Sequence, residues 1–236
     1  MRRRHVAVGL FLLCLLAPFA AASARAAPAP APPAPFDPWD PWEPMNRYTY
    51  RFNAELDRWV LLPVARAYVF AIPRPVRSGV SGFFDNIDEV PTFANTVLQG
   101  DVDAAAVTLT RFVVNSTLGL LGIFDVASRL DLPAQSEDFG QTLGVWGLPP
   151  GPYLVLPLFG PSSLRDGIGL AADRTLLWGA QTIVLGDFQL VLTGAFPLET
   201  VDTRSRAPIR YGQLGPFEYD LVRTIYLDYR AALIER

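Results

Sequence analysis

From residue 43 onward, apolar positions recur mainly at helical spacing and are cut into short runs by proline and glycine, a pattern that predicts several short helices. In the run Met45–Leu62, Tyr48, Phe52, Leu56, Trp59 and Leu62 form one stripe, and Pro63 is expected to stop the helix. A second helix is expected over Val64–Ile72, halted by Pro73-Arg74-Pro75. Val76–Asn86 and Thr92–Leu98 read as two short helices separated around Asp88–Pro91. Asp101 suits an N-cap for a longer helix, Val102–Leu118, with Asp103 in its first turn to complement the helix dipole. Pro149–Pro152 is a turn, and Tyr153–Leu156 is a brief strand or hairpin arm. Ser162 or Ser163 can cap a helix towards Leu177. Phe217–Ile234 reads as a final amphipathic helix with Leu221, Ile225, Tyr229 and Ala232/Leu233 on one face. No period repeats, and strands do not alternate with helices, so the expected fold class is mainly α, a single domain with at most a small hairpin.

Two charge-poor stretches stand out. Phe112–Phe124 carries no charge between Arg111 and Asp125, and the stretch from Arg174 to Glu199 is interrupted only by Asp187. Each uninterrupted part falls short of the ~20 apolar residues a spanning helix requires. Such segments are either buried core or elements lying within one leaflet, and the pattern alone favours core. A mean hydropathy of +0.23 in so proline-broken a chain keeps a large apolar exterior in view.

The N-terminus joins Met1-Arg-Arg-Arg-His5 to an apolar stretch, Val6–Ala22, and then to Ala24-Arg25-Ala26, the plan of a secretory signal peptide cleaved after Ala26. The expected divisions are therefore a signal peptide over 1–26, an extended Ala/Pro-rich linker over 27–41 and a helical domain over 42–236. Prolines in the linker fix φ and remove donors, so it should form a semi-rigid tether.

Composition then narrows the chemistry. All twenty basic residues are arginines, and the one His (His5) and one Cys (Cys14) both lie in the leader. Removing the leader takes four arginines and no acid, leaving sixteen arginines against 23 acids, a balance that argues against a broad nucleic-acid surface. Without Lys, His or Cys the mature chain offers no Cys/His metal site, thiol nucleophile, serine–histidine triad, phosphate-loop lysine or Schiff base. No cofactor and no metal are expected. The acids around Asp85, Asp88 and Glu89, and the pair Asp101/Asp103, lack a calcium-loop pattern and are explained by caps and turns. Arg47, Arg51, Arg74, Arg77, Arg111, Arg165 and Arg174 sit among aromatic and apolar residues, and a guanidinium fork suits a phosphodiester. Each could equally pair with a nearby acid such as Glu43, Asp57, Glu89 or Asp166.

Several motifs, in one order, carry a family resemblance. Asp40-Pro-Trp-Glu-Pro-Met-Asn-Arg-Tyr-Thr-Tyr-Arg-Phe-Asn53 is followed by Pro73-Arg-Pro-Val-Arg-Ser-Gly79, Asn86-Ile-Asp-Glu-Val-Pro91, Leu98-Gln-Gly-Asp101 and Thr110-Arg-Phe-Val-Val-Asn115. Then come Phe124-Asp-Val-Ala127, Phe139-Gly-Gln-Thr-Leu-Gly144, Gly151-Pro-Tyr-Leu-Val-Leu-Pro157 and Phe159-Gly-Pro-Ser-Ser-Leu-Arg-Asp166. Together they resemble the MlaA/VacJ proteins. That resemblance implies a ring-like bundle of short amphipathic helices embedded in the periplasmic leaflet of the outer membrane, around an amphipathic channel. It implies phospholipid as cargo, an outer-membrane porin alongside, and a periplasmic lipid carrier of the MlaC type. The protein would move mislocalised phospholipid from the outer leaflet to that carrier, breaking no bond, and so would not be an enzyme.

On this resemblance Arg47, Arg51, Asn53, Arg111 and Asn115 are expected at the channel or headgroup, and Phe139, Gly140, Gln141, Thr142 and Leu143 at a gate or hairpin. One departure concerns lipidation: Cys14 lies inside the apolar stretch with the cleavage site downstream, so no lipid anchor is expected. The other readings are a secreted carboxylate-dependent hydrolase working through pairs such as Asp85/Glu89 or Asp101/Asp103, and a porin-bound scaffold without transport.

Overall fold

The first helix runs straight past the proline expected to end it. In the computed structural model, which describes residues 40–185 and 195–235, α1 (Glu43–Leu56) continues through a π-helical turn, Asp57–Leu61, into α2 (Leu62–Ala71). Pro63 has no N–H and so leaves a carbonyl one turn back without its usual partner. The wide turn absorbs this: the Leu62 N–H bonds the Asp57 carbonyl, five residues back, and Pro63 falls in the first turn of α2, where its missing donor costs little. The leader and nearly all of the Ala/Pro linker lie outside the described residues.

The two short helices expected around Asp88–Pro91 are instead one helix, α3 (Arg74–Gln99), with Pro91 inside it. Tertiary contacts flanking the proline hold it together. Asn86 donates to Ser116 at 2.9 Å and Glu89 pairs with Arg111 at 2.7 Å, both from α4 (Val102–Thr117), while Thr92 donates to the Asp88 carbonyl at 2.9 Å. A left-handed Gly100 ends α3, and Asp101 starts α4 by accepting from the Ala104 N–H at 2.9 Å, as its sequence predicts. The turn after α4 packs backbone against backbone: a Cβ on Gly82 would lie 2.3 Å from the Gly122 carbonyl oxygen.

A 3₁₀ turn (Ala127–Leu130) leads to α5 (Phe139–Val145), whose N-cap Asp138 accepts from Gln141 at 2.8 Å. The expected hairpin follows as β1 (Tyr153–Leu156) antiparallel to β2 (Gly160–Ser163), with Tyr153 opposite Ser163 and Leu156 opposite Gly160. Ser163 then caps α6 (Leu164–Leu185) by accepting from the Asp166 N–H at 3.1 Å. Helices α7 (Phe196–Arg206) and α8 (Glu218–Ile234) complete the described chain. Among the described residues the fold is thus mainly α, with one two-stranded hairpin. Among the described residues no helix is long and apolar enough to cross a membrane.

Polarity is inverted relative to an ordinary water-soluble domain. Among the described residues twenty-one polar or charged side chains are buried against nine apolar ones, and the largest side chains that are fully buried are Gln141, Asn46, Asn95, Thr96, Thr108, Thr142, Asp202 and Ser163. The apolar core reduces to Tyr153, Val155 and Tyr219, with Tyr50, Tyr226 and Leu227 against them. Large apolar side chains point outward instead, with Phe70 94% and Trp59 69% exposed. The stretch read as core, Phe112–Phe124, belongs to this exterior: Val113, Leu118, Leu120, Leu121, Ile123 and Phe124 are all exposed. On the last helix the expected stripe of Leu221, Ile225 and Tyr229 is exposed, while Leu233, expected with it, is buried along with Glu218, Tyr219 and Arg230. Spacing identifies a stripe, but not what lies opposite it.

Candidate functional site

A cavity of about 480 Å³ opens between α1, the hairpin, the C-terminal end of α7, the loop 207–217 and α8. Its walls are mostly apolar or aromatic, including Leu56, Leu61, Leu158, Ile209, Leu214, Val222, Ile225 and Tyr229, with a few polar groups between them. That size and mixture suit a drug-sized or larger amphipathic ligand.

Each polar group has an assignable role. Asn53, from α1, donates to the Leu156 carbonyl and accepts from the Leu158 N–H, both at 2.9 Å, which fixes the hairpin tip where Leu158 adopts a left-handed φ of 70°. Asn46, two helical turns earlier, holds β1 by donating to the Tyr153 carbonyl and accepting from the Val155 N–H, both at 2.9 Å. Asp57 receives a forked pair of hydrogen bonds from Arg204, one of them 2.9 Å from Arg204 Nη2, and this pairing raises the Arg204 guanidinium above its ordinary value. Tyr50 donates to Glu218 at 2.5 Å, and burial with this bond pushes the phenol upward. Glu218 also accepts from the N–H groups of Gly212 and Leu214 at 2.9 and 3.0 Å. Burial would raise its carboxyl, but these bonds outweigh it and hold the group below the usual range. Glu218 therefore staples the loop to α8. On that loop Arg210 is exposed, lines the cavity and has no ion pair among the described residues.

Of the residues expected at a channel, Asn53 lines this cavity and the others do not. Arg47 donates to Glu43 at 2.6 Å and to Asp220 at 3.1 Å and lies over the Tyr219 ring at 4.2 Å. Arg51 is exposed without an ion pair among the described residues. Arg111 is buried, pairing with Glu89 and donating to the Leu132 carbonyl at 2.6 Å; Asn115 donates to Asp125 at 3.1 Å and accepts from the Ala127 N–H at 2.9 Å. The structure brings Arg111 and Asn115 together around Asp125, away from the cavity lining.

Phe139, Gly140, Gln141, Thr142 and Leu143 form a helix, not a hairpin; the hairpin is the β1–β2 pair. Asp138 nucleates that helix, and it is packed tightly. Gln141 and Thr142 are buried, Thr142 donates to Asn95 at 2.9 Å, and a Cβ on Gly140 would sit 2.6 Å from Asp166 Oδ1. Asp138 and Asp166 both bind Arg230, whose Nη2 lies 2.8 Å from an oxygen of each.

Of the carboxylates considered for hydrolysis, Asp85 pairs with Arg206, Glu89 with Arg111, and Asp101 caps α4, while Asp103 is exposed. Among the described residues no cluster of three His, Cys, Asp or Glu side chains could hold a metal ion. Arg204, Arg210, Tyr211 and Glu218 were not anticipated as site residues. Gly212 and Gly215 are a local signal for a loop ahead of α8, but nothing in the spacing shows that it folds over α1.

Among the described residues polar side chains lie inside and large apolar ones outside, and a walled cavity opens beside a small hairpin. The sequence model of the MlaA lipoprotein family matches residues 38–233, and the chain belongs to that family. It is 37% identical over 189 residues to the intermembrane phospholipid transport system lipoprotein MlaA of Escherichia coli, covering 78% of this chain and 73% of that protein. It is 34% identical over 167 residues to the protein of the same name from Haemophilus influenzae, covering 68% and 64%. An uncharacterized protein of Rickettsia felis is 41% identical over 121 residues, and there the match spans about half of each chain. A solved structure concerning the structural basis for maintenance of bacterial outer membrane lipid asymmetry superposes with a TM-score of 0.68 at 32% identity, over 83% of this chain and 98% of that one. The word lipoprotein in the family and relatives' names runs against the expectation of an unlipidated chain; Cys14 lies outside the described residues.

Proposed function

We propose that this protein is the outer-membrane component of an intermembrane phospholipid transport system. It lies in the periplasmic leaflet and lets mislocalised phospholipid pass from the outer leaflet to a periplasmic carrier of the MlaC type, with a porin alongside. The observation that carries this is the inverted polarity: side chains such as Phe70, Trp59, Leu118 and Leu121 face outward while asparagine, threonine, aspartate and arginine are enclosed. In water that arrangement exposes apolar surface at about 25 cal/mol per Å², whereas among acyl chains the same surface costs nothing. No single helix need span, because short helices can lie within one leaflet.

The cavity between α1 and α8 accommodates apolar parts of the lipid, and the uncommitted guanidinium of Arg210, with Arg51 on the exposed side of α1, takes a phosphodiester. Asn53 holds the hairpin at the cavity wall. Arg47, Arg111 and Asn115, whose donors are occupied, act as the frame, as does the Phe139–Leu143 helix.

The test is the phospholipid content of the outer leaflet in cells lacking the gene, read by an acyl- or headgroup-transfer reaction confined to the cell surface. A rise reversed by the wild-type gene is expected. No rise, with the carrier and porin present, would leave the scaffold reading in its place.

A further inference from the structure

A second, smaller cavity of about 180 Å³ lies between α3, α6 and α7, apart from the residues lining the first. It has space for about six water molecules, the size of a polar headgroup and not of an acyl chain. Phe84, Trp178 and Phe196 give it aromatic walls; Asp88, Arg174 and Glu199 bring charge from three different helices.

The charges do not satisfy one another. Arg174 places both Nη1 and Nη2 on a single oxygen, Glu199 Oε1, at 3.4 and 3.3 Å, so most of its five donors are uncommitted. The Asp88 carboxylate has no hydrogen bond or ion pair among the described residues. Two acids thus face one cation within aromatic walls, an arrangement that needs a further positive charge but also offers a guanidinium to an anion.

We propose that this cavity is a second station on the lipid's path, distinct from the Arg210 cavity, that reads the headgroup and selects a phosphodiester joined to a primary ammonium: Arg174 takes the phosphate, and Asp88 with Glu199 takes the ammonium beside the Trp178 ring. This rests on the phospholipid reading above. The chemistry discriminates in both directions. A phosphoglycerol headgroup presents an anion and hydroxyls, leaving Asp88 without a counter-charge and drawing Arg174 from Glu199, whereas an ammonium offsets these carboxylates and finds an aromatic face.

The same site sets a pH dependence. Asp88 is exposed at the mouth of the cavity, yet the protein packed about its carboxyl pushes it up to about 6, with Glu199 and Asp85 adding to the rise and Arg174 and Arg206 opposing it. Above that value Asp88 is charged and attracts the ammonium; below it the attraction is lost.

The full-length protein in detergent is offered equal amounts of phosphatidylethanolamine and phosphatidylglycerol, and retained lipid is counted by native mass spectrometry. Wild type should retain the ethanolamine lipid in preference by about tenfold near neutral pH, one charge-assisted contact's worth, and lose the preference near pH 5. Asp88→Asn should show no preference at either pH while retaining the same total lipid and melting temperature. Arg174→Gln should weaken both lipids. Wild type that retains both lipids equally, or an Asp88→Asn variant that keeps the preference, overturns the proposal and leaves the phospholipid reading intact. Wild type that retains neither lipid removes both.

Discussion

Replacing Arg111 with Met exposes the energetics of a polar interior. Arg111 and Glu89 are only 6% and 7% exposed at the side chain and meet at 2.7 Å, and Glu89 Oε2 already has no partner. Without the guanidinium, Glu89 becomes an unpaired buried charge, and the Leu132 carbonyl loses its 2.6 Å donor. Breaking such a pair from one side costs about 3–5 kcal/mol, and each kcal/mol lowers the melting temperature of a domain this size by roughly 2–4 °C, so a loss of about 6–20 °C is expected near pH 8. Burial already raises Glu89 above its ordinary value, against the opposing pull of Arg111. In the variant the carboxyl rises further. The native state then binds a proton that the unfolded chain has released, so the defect should shrink as pH falls towards about 5. The double variant Arg111→Met/Glu89→Leu should recover most of the loss, because an apolar pair of similar volume can replace a buried ion pair. Thermal unfolding in detergent, followed by near-UV circular dichroism, measures all three. A single variant that melts within about 2 °C of wild type, or a double variant as damaged as the single, would refute the reasoning.

Three other outcomes are expected. Gly82→Ala should destabilise by about 1–3 kcal/mol or shift the 118–124 turn, because its Cβ would meet the Gly122 carbonyl at 2.3 Å, whereas Gly179→Ala, with nothing within 4 Å, should be neutral or stabilising; paired melting curves decide this. Brominated phospholipids should quench the exposed Trp59 in single-tryptophan variants reconstituted in vesicles, and a Trp59 emission unaffected by bromine at any acyl depth would contradict an apolar exterior within lipid. Arg210→Gln should reduce lipid transport to a purified carrier by roughly tenfold if its guanidinium meets phosphate, with unchanged melting because it has no ion pair among the described residues to lose; unaltered transport would remove it from the path.

The caps show how much local chemistry was legible. Asp101 and Ser163 begin helices where their side-chain oxygens can accept from the first turn, and β1 forms over the very residues Tyr153–Leu156. These depend on neighbours a few residues away. Pro63 and Pro91 were misread because their local cost is real but is offset by contacts from afar or by a widened turn. Asn53, singled out through its motif, lines the cavity; Arg210, which also lines it, was not singled out, since a lone exposed arginine in a loop carries no signal until α1 and α8 close around it.

By itself the sequence determined the periodicity, the caps at Asp101 and Ser163, and the lack of Lys throughout and of His and Cys after residue 14, because these are set by residue types and short spacings. Only the tertiary structure decided which way each stripe faces. Phe112–Phe124 and the Leu221/Ile225/Tyr229 face have the spacing of buried stripes and lie outside or against a cavity, while Asn46, Thr108, Gln141 and Asp202 are enclosed. Hydrophobic spacing fixes one face relative to another on the same helix; whether that face meets protein or lipid depends on partners distant in the chain, and in this fold those partners bond the polar face inward.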